Sequence, residues 1–185
     1  MEINKSFLGE LNPHDFPRMS IQLPTGFNVY EEKHKRYYFK KWGKGAKTPT
    51  IFLIYEPPQF FIMLFPEAKK QGITDNYSFI KRSMEANLDN LQNLHDAFFV
   101  VMKGIFIPDT GNQNNTKMEQ FTVGDRKCFI NYNLGPKENY FDCNIADKDD
   151  SYYKIYIKDM DKKLDLEKVA AIISTLKPGP KSLDF

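Results

Sequence analysis

Apolar and polar residues alternate along most of this chain, and this two-residue period predicts a protein built mainly of β-strands. The alternating segments are rich in Phe, Tyr, Ile and Val, which are residues that strands favour. Short turns such as Pro24-Thr25-Gly26, between MSIQL and FNVYE, indicate that neighbouring strands pair in an antiparallel manner. Outside the segment that contains the cysteines, the predicted strands are residues 19–23, 27–31, 36–42, 50–56, 59–65, 97–107, 118–123 and 152–159.

Two segments change to a helical period. In residues 75–95, apolar side chains recur every three or four positions, and Asp75 is placed to cap the helix. Residues 164–176 repeat this pattern, with Asp161 or Asp165 as the cap, and prolines follow the end. About nine strands and two principal helices predict an α+β fold, a mainly antiparallel sheet flanked by helices. The apolar positions of the first helix are Tyr77, Ile80, Met84, Leu88, Leu91 and Leu94.

The 185 residues are enough for one well-buried domain, which we place at residues 19–178. Residues 1–18, of mixed polarity and with two prolines, are predicted to be an arm or the remnant of a leader, and residues 179–185 a tail. A net charge of +2 gives no overall basic field that would attract nucleic acid or a membrane. The apolar runs are far shorter than the roughly 18 residues that a membrane-spanning helix needs.

The two cysteines of the chain lie in the segment CFINYNLGPKENYFDC, Cys128 to Cys143, which predicts a hairpin around Gly135-Pro136. A two-residue loop would place the cysteines opposite each other. A four-residue loop would place them on a diagonal of the same apolar face, with Asn131, Asp142 and Asn144 among the residues of the other face. A disulfide and a pair of buried free thiols both fit this arrangement. Two cysteines do not supply the four ligands of a structural zinc site.

The segment KHKRYYFKKWGKGAK, residues 33–47, interleaves basic and aromatic residues. This pattern is typical of surfaces that bind anionic partners, and also of edge strands, where lysines discourage sheet-to-sheet association. Because the net charge of the chain is small, we favour the edge strand over nucleic-acid binding. The residues of the alternative anionic-partner surface are Lys33, Lys35, Arg36, Lys40, Lys41, Trp42, Lys44 and Lys47.

The other motifs in the sequence do not indicate a catalysed reaction. WGKGAKT lacks the second glycine of a phosphate-binding loop and precedes a strand rather than a helix. DMDKKLDLE departs from the calcium-binding EF-hand pattern, and we interpret its acids as a turn and a helix start. The histidines, His14, His34 and His95, are not placed by sequence beside a nucleophile. We therefore expect no catalytic residues, no cofactor and no metal.

Both ends of the domain resemble one family. IQLPTGFNVY resembles the opening of PsbP-like domains, and YYKIYI with LDLEKVAAIISTLKP resembles their last strand and helix. The resemblance implies an antiparallel sheet sandwiched by helices. It also implies a binding or assembly role, since the family includes photosynthetic extrinsic subunits, bacterial envelope lipoproteins and a Ran-binding nuclear import factor. No set of binding residues transfers with it.

From these observations we expect a non-catalytic binding or accessory protein with a protein partner. The resemblance favours export to the bacterial envelope or periplasm as a lipoprotein-like domain. Because no signal peptide is visible at the start of the sequence, this expectation requires that a leader has been removed. The alternative is a cytosolic protein-binding factor of the immunity or adaptor kind. A small enzyme, and nucleic-acid binding through residues 33–47, are lesser alternatives.

Overall fold

The structure, a computed structural model, describes residues 3–31, 48–106 and 116–179. Its helices are α1 (Lys5–Leu8), α2 (Phe60–Leu64), α3 (Asn76–Glu85), α4 (Leu94–Phe106) and α5 (Leu166–Ser174), with 3-10 turns at Pro66–Gln71 and Leu88–Asn90. Its strands are β1 (Leu11–Asp15), β2 (Met19–Pro24), β3 (Asn28–Glu31), β4 (Thr50–Glu56), β5 (Lys117–Val123), β6 (Arg126–Leu134), β7 (Asn139–Ala146), β8 (Tyr152–Asp159) and β9 (Lys177–Pro178).

A six-stranded sheet in the order β3-β4-β8-β7-β6-β5 forms the centre of the fold. Its neighbouring strands are antiparallel except for β3 and β4, which run parallel. A second sheet, β1-β2-β9, is antiparallel throughout. The predicted class, an α+β fold with a mainly antiparallel sheet, is confirmed.

One face of the central sheet forms the main apolar core. It packs against α5 and the small sheet, so that Ile155, Phe141 and Ile21 belong to one buried cluster. Residues 169–173 of α5 are all buried, because this helix lies between two layers. Asp165 caps α5 by accepting a hydrogen bond from the Lys168 amide, which settles the choice between Asp161 and Asp165.

A layer of helices covers the other face. Phe61 of α2, Phe79 of α3 and Phe99 of α4 pack together, and Phe61 meets Tyr152 of β8 edge to face at 5.0 Å. The predicted cap at Asp75 is confirmed, since its side chain accepts from the Ser78 amide at 2.7 Å. Among the described residues, no helix is both long and apolar enough to cross a membrane.

Asn76, which is fully buried at the start of α3, fastens this helical layer to the rest of the fold. Its amide group donates to the carbonyls of Pro57 and Asp150 at 3.1 and 2.7 Å, and its oxygen accepts from the Phe61 amide at 3.0 Å. Asp150 adds hydrogen bonds from the amides of Gln59 and Asn76. The turn at residues 147–150 therefore holds the starts of α2 and α3 in place.

Two of the predicted strands are helices. Residues 59–65 contain α2, and residues 97–107 fall largely within α4. The helix predicted at 75–95 ends at Glu85, and eight residues separate its end from the start of α4. The error has a physical source: aromatic and β-branched residues favour strands, but here they fill the space between helices and sheet.

The first predicted strand pair is also wrong as a pair, although both strands exist. β2 belongs to the small sheet, whereas β3 pairs with β4 in the central sheet. The turn between them, in which Gly26 has a φ of +87°, carries the chain from one sheet to the other. A glycine adopts this backbone conformation without the strain that other residues meet.

The predicted arm contributes to the fold. Within residues 1–18, α1 and β1 form, and Phe7 and Leu11 are buried in the main apolar core. The predicted strand at 36–42 and the predicted tail from 180 onward lie outside the described residues.

Candidate functional site

The cysteine hairpin has the four-residue loop, Gly135 to Glu138, because Leu134 pairs with Asn139. Cys128 therefore lies opposite Ile145 and Cys143 opposite Ile130, and both thiols are free and buried in the main apolar core. Burial raises the pKa of the Cys128 thiol to about 12 and the pKa of Cys143 well above its ordinary value. Neither thiol is ionised near neutral pH, so neither has the reactivity of a nucleophile.

The polar face of this hairpin is also buried, which the alternation of the sequence did not reveal. Asn131 on β6 pairs with Asp142 on β7, and Asn144 on β7 pairs with Lys154 on β8. All four side chains are buried beneath the helical layer. Together they form a polar cluster at the centre of the sheet, which we call the inner polar cluster.

The inner polar cluster contains an ion pair. The Lys154 ammonium lies 3.2 Å from Asp142 Oδ1, and both side chains are 5% exposed. Loss of water outweighs the attraction of Lys154 and raises the pKa of Asp142 from 3.8 to about 6. Burial likewise lowers the pKa of Lys154, against the opposing effect of Asp142.

Hydrogen bonds satisfy the cluster only in part. The Tyr152 hydroxyl donates to Asn144 Oδ1 at 2.8 Å, and the pKa of that hydroxyl is raised well above its ordinary value by burial. Asn131 Oδ1 and Asn144 Nδ2 are buried without a hydrogen-bond partner. The cluster can hold a proton on Asp142 close to neutral pH, but an outside molecule reaches it only if the helical layer moves.

The described histidines do not form a reactive centre. His14 lies on β1 and stacks on Phe16, whereas His95 lies on α4, so the central sheet separates them. His34 lies outside the described residues. In the part of the chain that the structure describes, no group of three or more His, Cys, Asp or Glu side chains is arranged to hold a metal ion.

The basic segment predicted at 33–47 also lies outside the described residues. The structure therefore places none of its eight candidate residues, and the anionic-partner surface stays a prediction.

Six large apolar side chains among the described residues of the helical layer are exposed: Met63 and Leu64 on α2, and four others on α4 or just before it. Leu94 and Val101, seven residues apart on α4, are 88% and 68% exposed, while Phe99 and Met102 of the same helix are buried. Leu88 and Leu91 precede the helix and are 68% and 41% exposed. We call these four residues the apolar helical surface. The helical period of residues 75–95 predicts that Leu88, Leu91 and Leu94 lie on the apolar face of one helix, and the structure exposes them instead.

The local sequence explains this exposure. Asn87 accepts a hydrogen bond from the Asp89 amide and supports the short 3-10 turn, and Asn93 accepts from the amides of His95 and Asp96 and starts α4. These two asparagines interrupt the helical period, so the leucines between them do not continue the buried face of α3. Asn87 and Asn93 were therefore the sequence signal that could have predicted the break in the helix at 75–95.

Comparisons of the chain with protein-family models, with curated proteins and with solved structures found no match in any of the three. The class of the protein is therefore defined by its fold alone, an α+β domain with a mixed, mainly antiparallel sheet.

Proposed function

We propose that this protein is a non-catalytic binding or accessory protein and that its partner, another protein, docks on the apolar helical surface. The observation that carries the proposal is the exposure of Leu88, Leu91, Leu94 and Val101 on neighbouring elements. Large exposed apolar groups that lie together mark interaction sites, because they gain free energy when a partner removes them from water. Full burial of one leucine contributes about 1.5–3 kcal/mol.

The charged residues around this surface are suited to a rim. Arg82 and Asp96 form an ion pair between α3 and α4, and Lys81 pairs with Glu85 at 3.9 Å on α3. Protein interfaces commonly have an apolar centre with polar residues at the edge. The Lys81–Glu85 pair is about half exposed and would contribute more to orientation than to affinity.

The proposal of a non-catalytic role is supported by the states of the reactive groups described above. The two thiols are buried with raised pKa values, and Asp142 lies beneath the helical layer. A catalytic group must instead be able to reach its substrate.

For location we propose the bacterial envelope, with the cytosol as the alternative. The envelope is supported by the resemblance of residues 21–30 and 152–178 to PsbP-like domains. The cytosolic alternative is supported by the two free thiols, since cytosolic proteins keep their cysteines reduced. Thiol counting on protein isolated from its natural source separates the two, because a disulfide between these cysteines would favour an oxidising compartment.

Site-directed photocrosslinking in the source cells tests the docking surface. A photoreactive amino acid at Val101 should crosslink one defined partner, and the same amino acid at Leu134, which is 57% exposed at the end of β6, should not. With the partner purified, Leu94→Asp should weaken binding at least about tenfold, since it removes one buried leucine and introduces a charge. Equal crosslinking from both positions, or unchanged affinity of Leu94→Asp, would contradict the proposal.

A further inference from the structure

A cavity of about 530 Å³ lies on the opposite side of the central sheet from the apolar helical surface. Its walls come from α1, the turn between β2 and β3, and the segment that joins β8 to α5. The volume is within the range of roughly 300–1,000 Å³ that small-molecule sites occupy.

The chemical character of this cavity is divided. Phe7, Phe27 and Leu164 supply apolar wall, and Lys162, Lys163 and Lys168 supply positive charge. Glu10 is the single acid among the residues that line it. A ligand that fills the cavity therefore meets an apolar surface and an excess of cations.

Lys168 is held in place rather than extended into solvent. Its ammonium donates to the Lys163 carbonyl at 2.7 Å and lies 5.5 Å from the centre of the Phe7 ring. This is its one hydrogen bond within the described residues, which leaves further N–H groups for a ligand. The cation is thus positioned directly beside the aromatic wall.

Hydrogen bonds with buried residues hold the backbone of the segment that carries Lys162 and Lys163. Asp159 accepts from the Leu164 amide at 2.7 Å, and Asn139 donates to the Leu164 carbonyl at 3.2 Å. Lys163 pairs with Asp161, but both side chains are more than half exposed, so the pair holds Lys163 only weakly. A rigid backbone with adaptable lysine side chains is favourable for binding, because little order has to be created when a ligand arrives.

Lys162 has a backbone conformation that favours glycine. Its φ is +56°, in the left-handed region, where a lysine is strained and a glycine is not. Strained residues of this kind cluster at functional sites. Its ammonium donates to the Pro136 carbonyl at 3.4 Å, which leaves further N–H groups for a ligand.

We infer that this cavity binds a small organic carboxylate with an aromatic or acyl body, the body packing on Phe7 and Phe27 and the carboxylate meeting Lys162 and Lys168. Charge-assisted hydrogen bonds to the ammonium groups would fix the carboxylate. Burial of the body between the aromatic rings would supply the rest of the affinity. The site is independent of the apolar helical surface and does not need a protein partner.

Titration calorimetry with three probes tests both halves of the site. We expect 2-naphthoate to bind more tightly than acetate, which has the charge alone, and more tightly than 2-naphthalenemethanol, which has the body alone. Amide chemical-shift changes caused by 2-naphthoate should centre on residues 7, 24–27 and 162–168. Equal affinity for the neutral analogue, shift changes centred elsewhere, or no binding of 2-naphthoate would overturn the inference.

Two substitutions separate a ligand role from a structural one. Lys162→Gly should weaken 2-naphthoate binding about tenfold without lowering the melting temperature, because it removes a charge and also relieves the strained backbone. Lys168→Gln should weaken binding by a similar factor. Lys81→Gln, a change on α3, and Leu94→Asp on the apolar helical surface should leave it unchanged. Unaltered affinity in both cavity variants would refute the site and leave the proposed protein-binding function untouched.

Discussion

The buried pair of Asp142 and Lys154 makes the stability of this protein depend on pH in an unusual direction. The pKa of Asp142 is about 6 in the folded protein against 3.8 in the unfolded chain. A difference of about two pH units corresponds to about 3 kcal/mol. Between roughly pH 4 and pH 6 the folded state binds more protons than the unfolded state, so its stability falls as the pH rises through this window.

The double variant Asp142→Asn with Lys154→Met isolates this effect, because it removes the titration of both members of the pair. We expect the free energy of unfolding of the wild type, measured relative to this double variant, to decrease by about 2–3 kcal/mol from pH 4 to pH 7. Urea denaturation followed by circular dichroism at several pH values measures both proteins. A difference that stays constant with pH, or that increases toward pH 7, would refute a raised pKa at Asp142.

The cation of the pair gives the matching experiment. Lys154→Met should lower the free energy of unfolding by about 3–5 kcal/mol at pH 7, because it leaves a buried carboxylate without its counter-ion. The double variant Asp142→Asn with Lys154→Met buries no charge and should recover most of that loss. If the double variant is as unstable as Lys154→Met alone, the loss comes from packing and not from an uncompensated charge.

Four further outcomes are expected. Cys128 and Cys143 should not react with a thiol reagent in the folded protein at pH 8, and both should react in urea, since burial keeps them protonated and covered; rapid labelling of the native protein would contradict this. Asn76→Ala should lower the free energy of unfolding by about 3 kcal/mol in denaturant titrations, because three buried hydrogen bonds are lost. A loss below about 1 kcal/mol would show that Asn76 is not needed to attach the helical layer. Asp165→Ala should lower the free energy of unfolding by about 1 kcal/mol, because the cap of α5 is lost. Asp161→Ala, at an exposed position, should lower it by less than about 0.5 kcal/mol. Equal losses in the two variants would contradict a stabilising role of the cap. In hydrogen exchange, amides of α4 should exchange faster than those of α5, which is buried between two layers; the reverse order would contradict the layering described here.

The sequence pattern was sufficient for those elements whose surroundings match their local period. β4, β6, β7 and β8 alternate or run apolar as strands buried in a sheet do, and α5 combines a clear apolar stripe with an aspartate cap. The same pattern failed for α4, where Phe98, Phe99 and Val100 are adjacent in sequence. A helix with apolar residues on several sides loses its period, and its aromatic composition then favours a strand assignment.

The sites were less predictable, because they depend on what covers each face. Alternation separated Cys128 and Cys143 from Asp142 and Asn144, and the structure confirms this division between two faces. The two-residue period gives no information about the helical layer, which buries the polar face as well. Likewise, the cavity brings Phe7 together with Lys162 and Lys168, which are about 160 positions away, and no local pattern connects such distant residues.

The two faces of the central sheet hold their covering layers with different groups. The face toward α5 carries the main apolar core, with Asn139 Oδ1, Tyr153 Oη and Asp159 Oδ1 buried on it without a hydrogen-bond partner among the described residues. The face toward α3 and α4 carries the inner polar cluster, in which Asn131 Oδ1 and Asn144 Nδ2 lack a partner within the same part of the chain. The apolar helical surface belongs to the layer that covers the inner polar cluster. A partner that docks there would gain contact with Leu94 and Val101 and would also stabilise the layer, so binding and local stability should rise together.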